Sequence, residues 1–189
     1  INGLQQQIAI APTNSVGGID GNTWEFWRNI AYGSITNGGA ATTSANITRY
    51  WDTIWLQLQR GTDAPSMLVA DNTNYRLYME SLQPLQRITD TDMAKAGFDN
   101  LMYQSAPMIL GGGFQGYSDD VVPVGGPPAG YTWFINSKYF KYRPHVARNF
   151  VPLNPDRYSI NQDATVKLVG WAGNLCCSNR RLQAVFYPA

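Results

Sequence analysis

Histidine is almost missing from this chain of 189 residues: His145 is the only one. A His-rich metal site is therefore excluded, and nucleophilic catalysis of the usual kind has a single candidate base. Cysteine is nearly as scarce, with two residues, Cys176 and Cys177, side by side. Neighbouring Cα atoms stand ~3.8 Å apart, short of the ~4.4 Å at which disulfide geometry begins. The expectation is two reduced thiols, buried and inert in a strand, in a cytosolic product. Charge is low at 14%, and glutamate occurs only as Glu25 and Glu80. No apolar run approaches the ~18 residues of a membrane-spanning helix. The chain starts at Ile1 with no basic-then-apolar leader, so a processed chain or a fragment is expected.

What is present is amide and aromatic. The chain carries 15 Asn and 11 Gln, against 14 basic and 13 acidic residues, and 13% of it is Phe, Trp or Tyr. A surface poor in charge and rich in amides and aromatics suits a protein that buries much of its outside against neighbours. The charges are also segregated. Residues 1–137 hold six basic and eleven acidic residues, and residues 138–189 hold eight basic and two acidic. This split fits a nucleic-acid patch, or docking of the acidic part of one copy against the basic part of the next, or charges that simply cancel in three dimensions.

Periodicity gives an α+β chain. Ile47, Trp51, Ile54, Trp55 and Leu58 form one face of a helix expected over Ser44–Arg60, capped by Ser44 and stopped by Gly61 at C′. Met67–Ala70 reads as a strand covered on both faces. Asp71-Asn72 can cap a second helix, Thr73–Gln83, with a stripe of Tyr75, Tyr78, Met79 and Leu82, ended by Pro84. A short strand at Gln86–Ile88, a helical turn at Asp90–Ala96 and two strands within Leu101–Leu110 come next. Residues 111–130 form a Gly- and Pro-rich loop. Tyr131–Asn136 and Tyr139–Arg143 are strand-like, and 144–161, with three prolines, is expected to be irregular. Ala164–Trp171 alternates as a strand. Gly173-Asn174 is placed to turn it back into Leu175–Ser178, with a last strand at Gln183–Phe186.

Sites with chemistry are few. His145 lies between Arg143 and Arg148 and reads as a loop or interface residue rather than a base. The carboxylate pairs Asp90/Asp92 and Asp119/Asp120 could serve a hydrolase. The first pair, however, suits a helix start and the second suits a turn. Gly111–Gly116 lacks the Lys-Ser/Thr ending of a phosphate loop. Asn46-Ile47-Thr48 matches a glycosylation acceptor inside a helix and is assigned to chance. Trp24, Trp27, Trp133 and Trp171 are not fixed by a helix stripe; most are expected in the core, and exposed ones would serve a sugar-binding or receptor-binding module. No catalytic residue, cofactor or metal is expected.

Several blocks in order carry a resemblance. They are Val16-Gly17-Gly18-Ile19-Asp20, Phe26-Trp27-Arg28-Asn29, Arg60-Gly61-Thr62-Asp63-Ala64-Pro65, Leu68-Val69-Ala70-Asp71-Asn72, Ser81-Leu82-Gln83-Pro84 and Gln86-Arg87-Ile88. Phe134-Ile135-Asn136-Ser137-Lys138-Tyr139, Arg148-Asn149-Phe150, Asn161-Gln162-Asp163-Ala164 and Gly170-Trp171-Ala172-Gly173-Asn174 through Ser178-Asn179-Arg180 complete the set. In these the chain resembles the C-terminal half of tailed-bacteriophage and prophage major capsid proteins, over about residues 16 to 186. The resemblance implies the Hong Kong phage-type coat fold. Residues 1–16 would be an extended lead-in, 17–150 an axial domain, and 151–189 a crossing segment with strands returning into a peripheral domain. The N-terminal arm, extended loop and spine helix of a full coat protein have no counterpart here, and Ser44–Arg60 is too short to be the spine.

The implied function is a structural capsid subunit that assembles with its own copies into an icosahedral head. It would enclose DNA without sequence-specific binding, in a virion produced in the bacterial cytoplasm, with portal or scaffolding proteins as further partners and no membrane. The expected subunit contacts set Arg143, His145, Arg148 and Arg157 on the basic side and Asp119 and Asp120 on the acidic side. An encapsulin-like protein shell shares the implied fold, and a carbohydrate- or receptor-binding phage module is the alternative of another class.

Overall fold

The computed structural model describes residues 3–82, 101–111, 127–158 and 165–189, with backbone alone for 154–158, 165 and 166. The expected end of the second helix at Pro84, the strand at 86–88, the turn at 90–96, most of the Gly-Pro loop, and both Asp119 and Asp120 lie outside the described residues.

The fold is α+β. Its centre is a mixed six-stranded sheet built from β3 (Ile30–Gly33), β4 (Met67–Ala70), β5 (Met102–Tyr103), β6 (Ala106–Leu110), β7 (Thr132–Ile135) and β12 (Ala184–Tyr187), in the order β3-β12-β7-β4-β6-β5. Strand alternation sorts its side chains. Register aligns Leu68, Phe134 and Ala184 on one face and Val69, Trp133 and Val185 on the other. The first face is covered by α2 (Ile47–Leu58) and α3 (Asn72–Leu82), which bury Ile47, Trp51, Ile54, Trp55 and Leu58 against Leu68, Phe134 and Phe186. The helix stripe read from the sequence is thus the core-facing stripe.

The second face is covered in part by the lead-in, where α1 is the single turn Leu4–Gln7. Ile8 is buried with Trp133, Ile135 and Val185, and the Gln7 amide donates to the Leu175 carbonyl. Part of the lead-in, at Gln7 and Ile8, is therefore packed into the core, while Gln5, Gln6, Ile10 and Ala11 are exposed. Past it, β1 (Ser15–Val16) and β2 (Ile19–Asp20) form a small hairpin.

Several local expectations change. Helix α2 begins after Asn46, whose side chain accepts from the Thr43 N–H, and Ser44 makes no cap. Its last residue is Leu58, with Gln59 already extended. Gly61, at φ +59, instead takes the first corner of a tight turn closed by paired Arg60–Asp63 backbone bonds, the geometry of a type II′ turn. Asp71 does cap α3: its carboxylate accepts from Thr73 N–H and also from Gly130 N–H. On α3 the buried residues are Tyr78 and Asn74, while Met79 is exposed. Asn74 takes a core position because its amide reaches Gly130 O and Thr132 Oγ1, which no apolar side chain could satisfy.

The larger change is in the last quarter of the chain. The segment expected to be irregular contains β9 (Val151–Tyr158), which pairs with β10 (Thr165–Gly170). Pro152 and Pro155 are compatible with it because both strands of a two-stranded ribbon are edges. Gly173 and Asn174 are not a turn. They lie in β11 (Gly173–Cys177), which pairs with β8 (Phe140–Pro144) rather than with β10. Glycine is needed at 173 for space, since a Cβ there would stand 2.6 Å from the Trp171 ring. β12, expected in the returning peripheral segment, sits inside the main sheet between β3 and β7. Residues on both sides of the 150/151 division therefore share one sheet.

Candidate interaction surface

Residues 140–177 form one excursion from the sheet. β8 runs on into β9, and β10 runs back into β11, so the two pairings are successive parts of one antiparallel arm. Between the pairs Pro144–Gly173 and Val151–Gly170, six residues, 145–150, face only Trp171 and Ala172. Such an excess bends a ribbon in the manner of a bulge, and we call this bend the elbow.

The arm is fixed at its root. Gln183 accepts from Asn136 N–H at 2.8 Å and donates to Asn136 O at 3.2 Å, joining the end of β7 to the start of β12. Beside it, Asp63 accepts from Lys138 Nζ at 2.9 Å and from the Tyr139 hydroxyl at 2.6 Å. These two bonds, Lys138 first, hold the Asp63 carboxyl below its ordinary value. The same carboxylate raises Lys138 and Tyr139. The Asp63 contribution to stability is therefore complete above the ordinary carboxylate pKa of 3.8 and is lost as pH falls through the lowered folded value. Asp63→Asn is expected to lower the urea midpoint at neutral pH and to converge with the parent in acid. Parallel curves through the acid range would rule this latch out.

At the elbow, backbone bonds from His145 N–H to Ala172 O and from Ala172 N–H to Arg148 O close the bend. Trp171 lies between Tyr142, stacked at 5.7 Å and 9°, and Phe150 at 6.4 Å. Phe150 has φ +54, a left-handed conformation that a bulky side chain adopts only when its surroundings enforce it. Yet Phe150 is 70% exposed, Tyr142 56% and Val146 99%. Val151, Leu168 and Val169 are exposed on the distal ribbon. The strand expected at Ala164–Trp171 is present as β10, and its described residues Lys167, Leu168 and Val169 are exposed.

The proximal ribbon has two different faces. Phe140 and Tyr142 project to the side of the body and the stacked rings, while Lys141 and Arg143 project to the other, opposite Cys176 and Asn174 in register. The same alternation parts the two cysteines. Both are free thiols; Cys177 is buried, which raises its pKa, and Cys176 is exposed, contrary to the expectation that both are inside.

The structure thus brings Arg143, His145 and Arg148 together at one exposed bend. His145 Nδ1 accepts the Ala147 N–H in a local turn, which needs no catalytic partner. Arg157 lies in β9, where only backbone is described. Among the described residues the side chains of Lys141, Arg143 and Arg148 meet no carboxylate. The described carboxylates of residues 3–137 are all engaged within the chain. Asp20 accepts from Thr23, Glu25 pairs with Arg28, Asp52 accepts from Tyr103, Asp63 from Lys138, Asp71 caps α3, and Glu80 pairs with Arg76.

Of the four unplaced tryptophans, Trp133 is buried, Trp27 and Trp171 are half-buried, and Trp24 is exposed beside exposed Phe26. One polar centre has no sequence signal. Arg180 is fully buried and binds Gln7 O, Asn14 Oδ1 and Asn29 Oδ1. Its partners lie 151 to 173 residues away, beyond any local pattern. Among the described residues no group of His, Cys, Asp and Glu is placed to hold a metal, and no helix is long and apolar enough to cross a membrane. Comparison with family models, curated proteins and solved structures gives no match.

Proposed function

We propose that this chain is a structural subunit that associates with its own copies into a shell, as the resemblance to tailed-phage coat proteins implies, and that it performs no catalysis. The arm is the observation that supports this reading. A two-stranded ribbon is marginal in water by itself. This one carries Tyr142, Val146, Phe150, Val151, Leu168 and Val169 exposed, and among the described residues no further strand pairs with its edges. Covering those side chains and edges with another subunit is the physical gain that association offers. Contact between an arm and a different surface of the next copy is heterologous, and such contacts close into rings when the rotation permits. The shell would enclose DNA without sequence-specific binding, inside a virion made in the bacterial cytoplasm, with portal or scaffolding proteins as further partners.

Electron microscopy of the protein tests this. Closed shells or ring-shaped capsomers are expected; monodisperse monomers at high concentration would overturn it. The exposed Trp24–Phe26 pair favours a second reading, a carbohydrate- or receptor-binding module. Binding on a glycan array that is abolished by Trp24→Ala would select it.

A further inference from the structure

We infer that the polar face of the arm binds nucleic-acid phosphate, independently of sequence. This goes beyond the shell proposal, which needs only contacts between copies. The arm divides its chemistry by face. The apolar and aromatic residues that another subunit would cover include Tyr142 and Phe150, whereas Lys141 and Arg143 stand on the opposite face of β8. Arg148 sits beyond them at the elbow, also exposed.

These three cations have no carboxylate among the described residues. The described carboxylates of residues 3–137 already hold internal partners, and Asp119 and Asp120, the acids expected to meet this face in a neighbouring copy, lie outside the described residues. Three exposed cations on one side of the arm present positive charge that an anion from outside the chain can meet. Phosphate suits the guanidinium groups of Arg143 and Arg148, whose planar forks pair two oxygens at once, and Lys141 adds a point charge. Contacts of this kind go to phosphate oxygens, which position a protein on the duplex without reading its sequence. A ribbon is also a shape that lies along a nucleic-acid groove.

The test is fluorescence anisotropy of a labelled mixed-sequence DNA duplex with the 189-residue chain. Three phosphate contacts give a slope of log K against log salt of about −2.7, which is about 40-fold weaker binding between 50 and 200 mM salt. The triple variant Lys141→Gln, Arg143→Gln, Arg148→Gln is expected to bind at least about tenfold more weakly at low salt and to flatten that slope. All three side chains are exposed, so its thermal midpoint should match the parent and serve as the folding control. Permuting the duplex sequence at constant composition should leave the affinity unchanged. The inference is overturned if the parent does not bind, or if the triple variant binds equally well. It is also overturned if the parent forms shells, ignores DNA, and the triple variant loses assembly; the cations would then meet the carboxylates of another copy. Electron microscopy of the same samples separates the two proposals. Shells without DNA binding remove only this inference, and DNA binding without shells removes only the shell.

Discussion

Arg180→Met is expected to lower stability by about 2 kcal/mol or more, because it strands two buried acceptors, Gln7 O and Asn29 Oδ1, whose loss costs about 1 kcal/mol or more each, and a part-buried one on Asn14 that water can reach. Arg180 Nε donates to Gln7 O at 2.7 Å, and Nη2 donates to Asn14 Oδ1 and Asn29 Oδ1, both at 2.9 Å. Its guanidinium also lies over the Trp27 ring. One side chain thereby holds the lead-in, the turn after it and the approach to β3 against the start of β12. Burial pushes its pKa down, yet an arginine stays charged at any physiological pH. A buried charge can sometimes be exchanged for an apolar residue at no loss, but only when its partners are exchanged as well. Here two of the acceptors are amide side chains and one is backbone, and all of them remain. Arg180→Lys retains the charge without the fork and should recover little. The measurement is the urea midpoint at unchanged slope. A midpoint equal to that of the parent would show that the clamp contributes nothing.

Trp51→Ala is expected to cost about 3–5 kcal/mol, the range for emptying a large aromatic site in a core. Trp51 is fully buried, with Tyr78 at 5.2 Å, Tyr103 at 5.4 Å and Phe134 at 6.0 Å between ring centroids. Those neighbours belong to α3, β5 and β7, so the indole joins the second helix, the sheet edge and the sheet centre. Its Nε1 has no hydrogen-bond partner, and removing it leaves no polar group unpaired. The cost is therefore cavity and lost packing, and it should appear as a fall in thermal midpoint of roughly 10 °C. Trp24→Ala is the control, since an exposed ring away from any buried contact should change stability by no more than about 0.5 kcal/mol. Equal effects from the two substitutions would mean that the buried stripe of α2 is misassigned.

Residues differ in how plainly they announce their place. The five apolar positions of α2 were legible because a 3.6-residue period is a property of one segment. Met67–Ala70 and Thr132–Ile135 were legible as strands for the same reason, and so was the α+β class. Pairing was not. Nothing in Lys141 or Cys176 says that they face each other across 35 residues of chain. The prolines at 152 and 155 hid a strand, because their cost depends on whether the neighbouring edge is occupied, which is a tertiary fact. Gly173 looked like turn chemistry when its role is to admit an indole. Asn74 replaced an apolar residue at a core position because Thr132 and Gly130 wait opposite it. The exposed bend with Arg143, His145 and Arg148 was recognisable as basic sequence, but its division into a polar and an apolar face needed the register.

The join between Asn136 and Gln183 bears on how the molecule folds. β7 and β12 are sheet neighbours, yet roughly fifty residues intervene. Closing so long a loop between them costs about 3 kcal/mol more in chain entropy than a two-residue hairpin turn would. Pairing of β8 with β11 removes most of that cost. Once Phe140 meets Cys177, only a few residues on each side remain free. The arm that reaches away from the sheet is thus the zipper that draws the sheet's own centre together. Folding that begins at the distal pair Tyr158–Thr165, the shortest loop of the arm, and runs through the elbow toward the root takes the route with the smallest entropy loss.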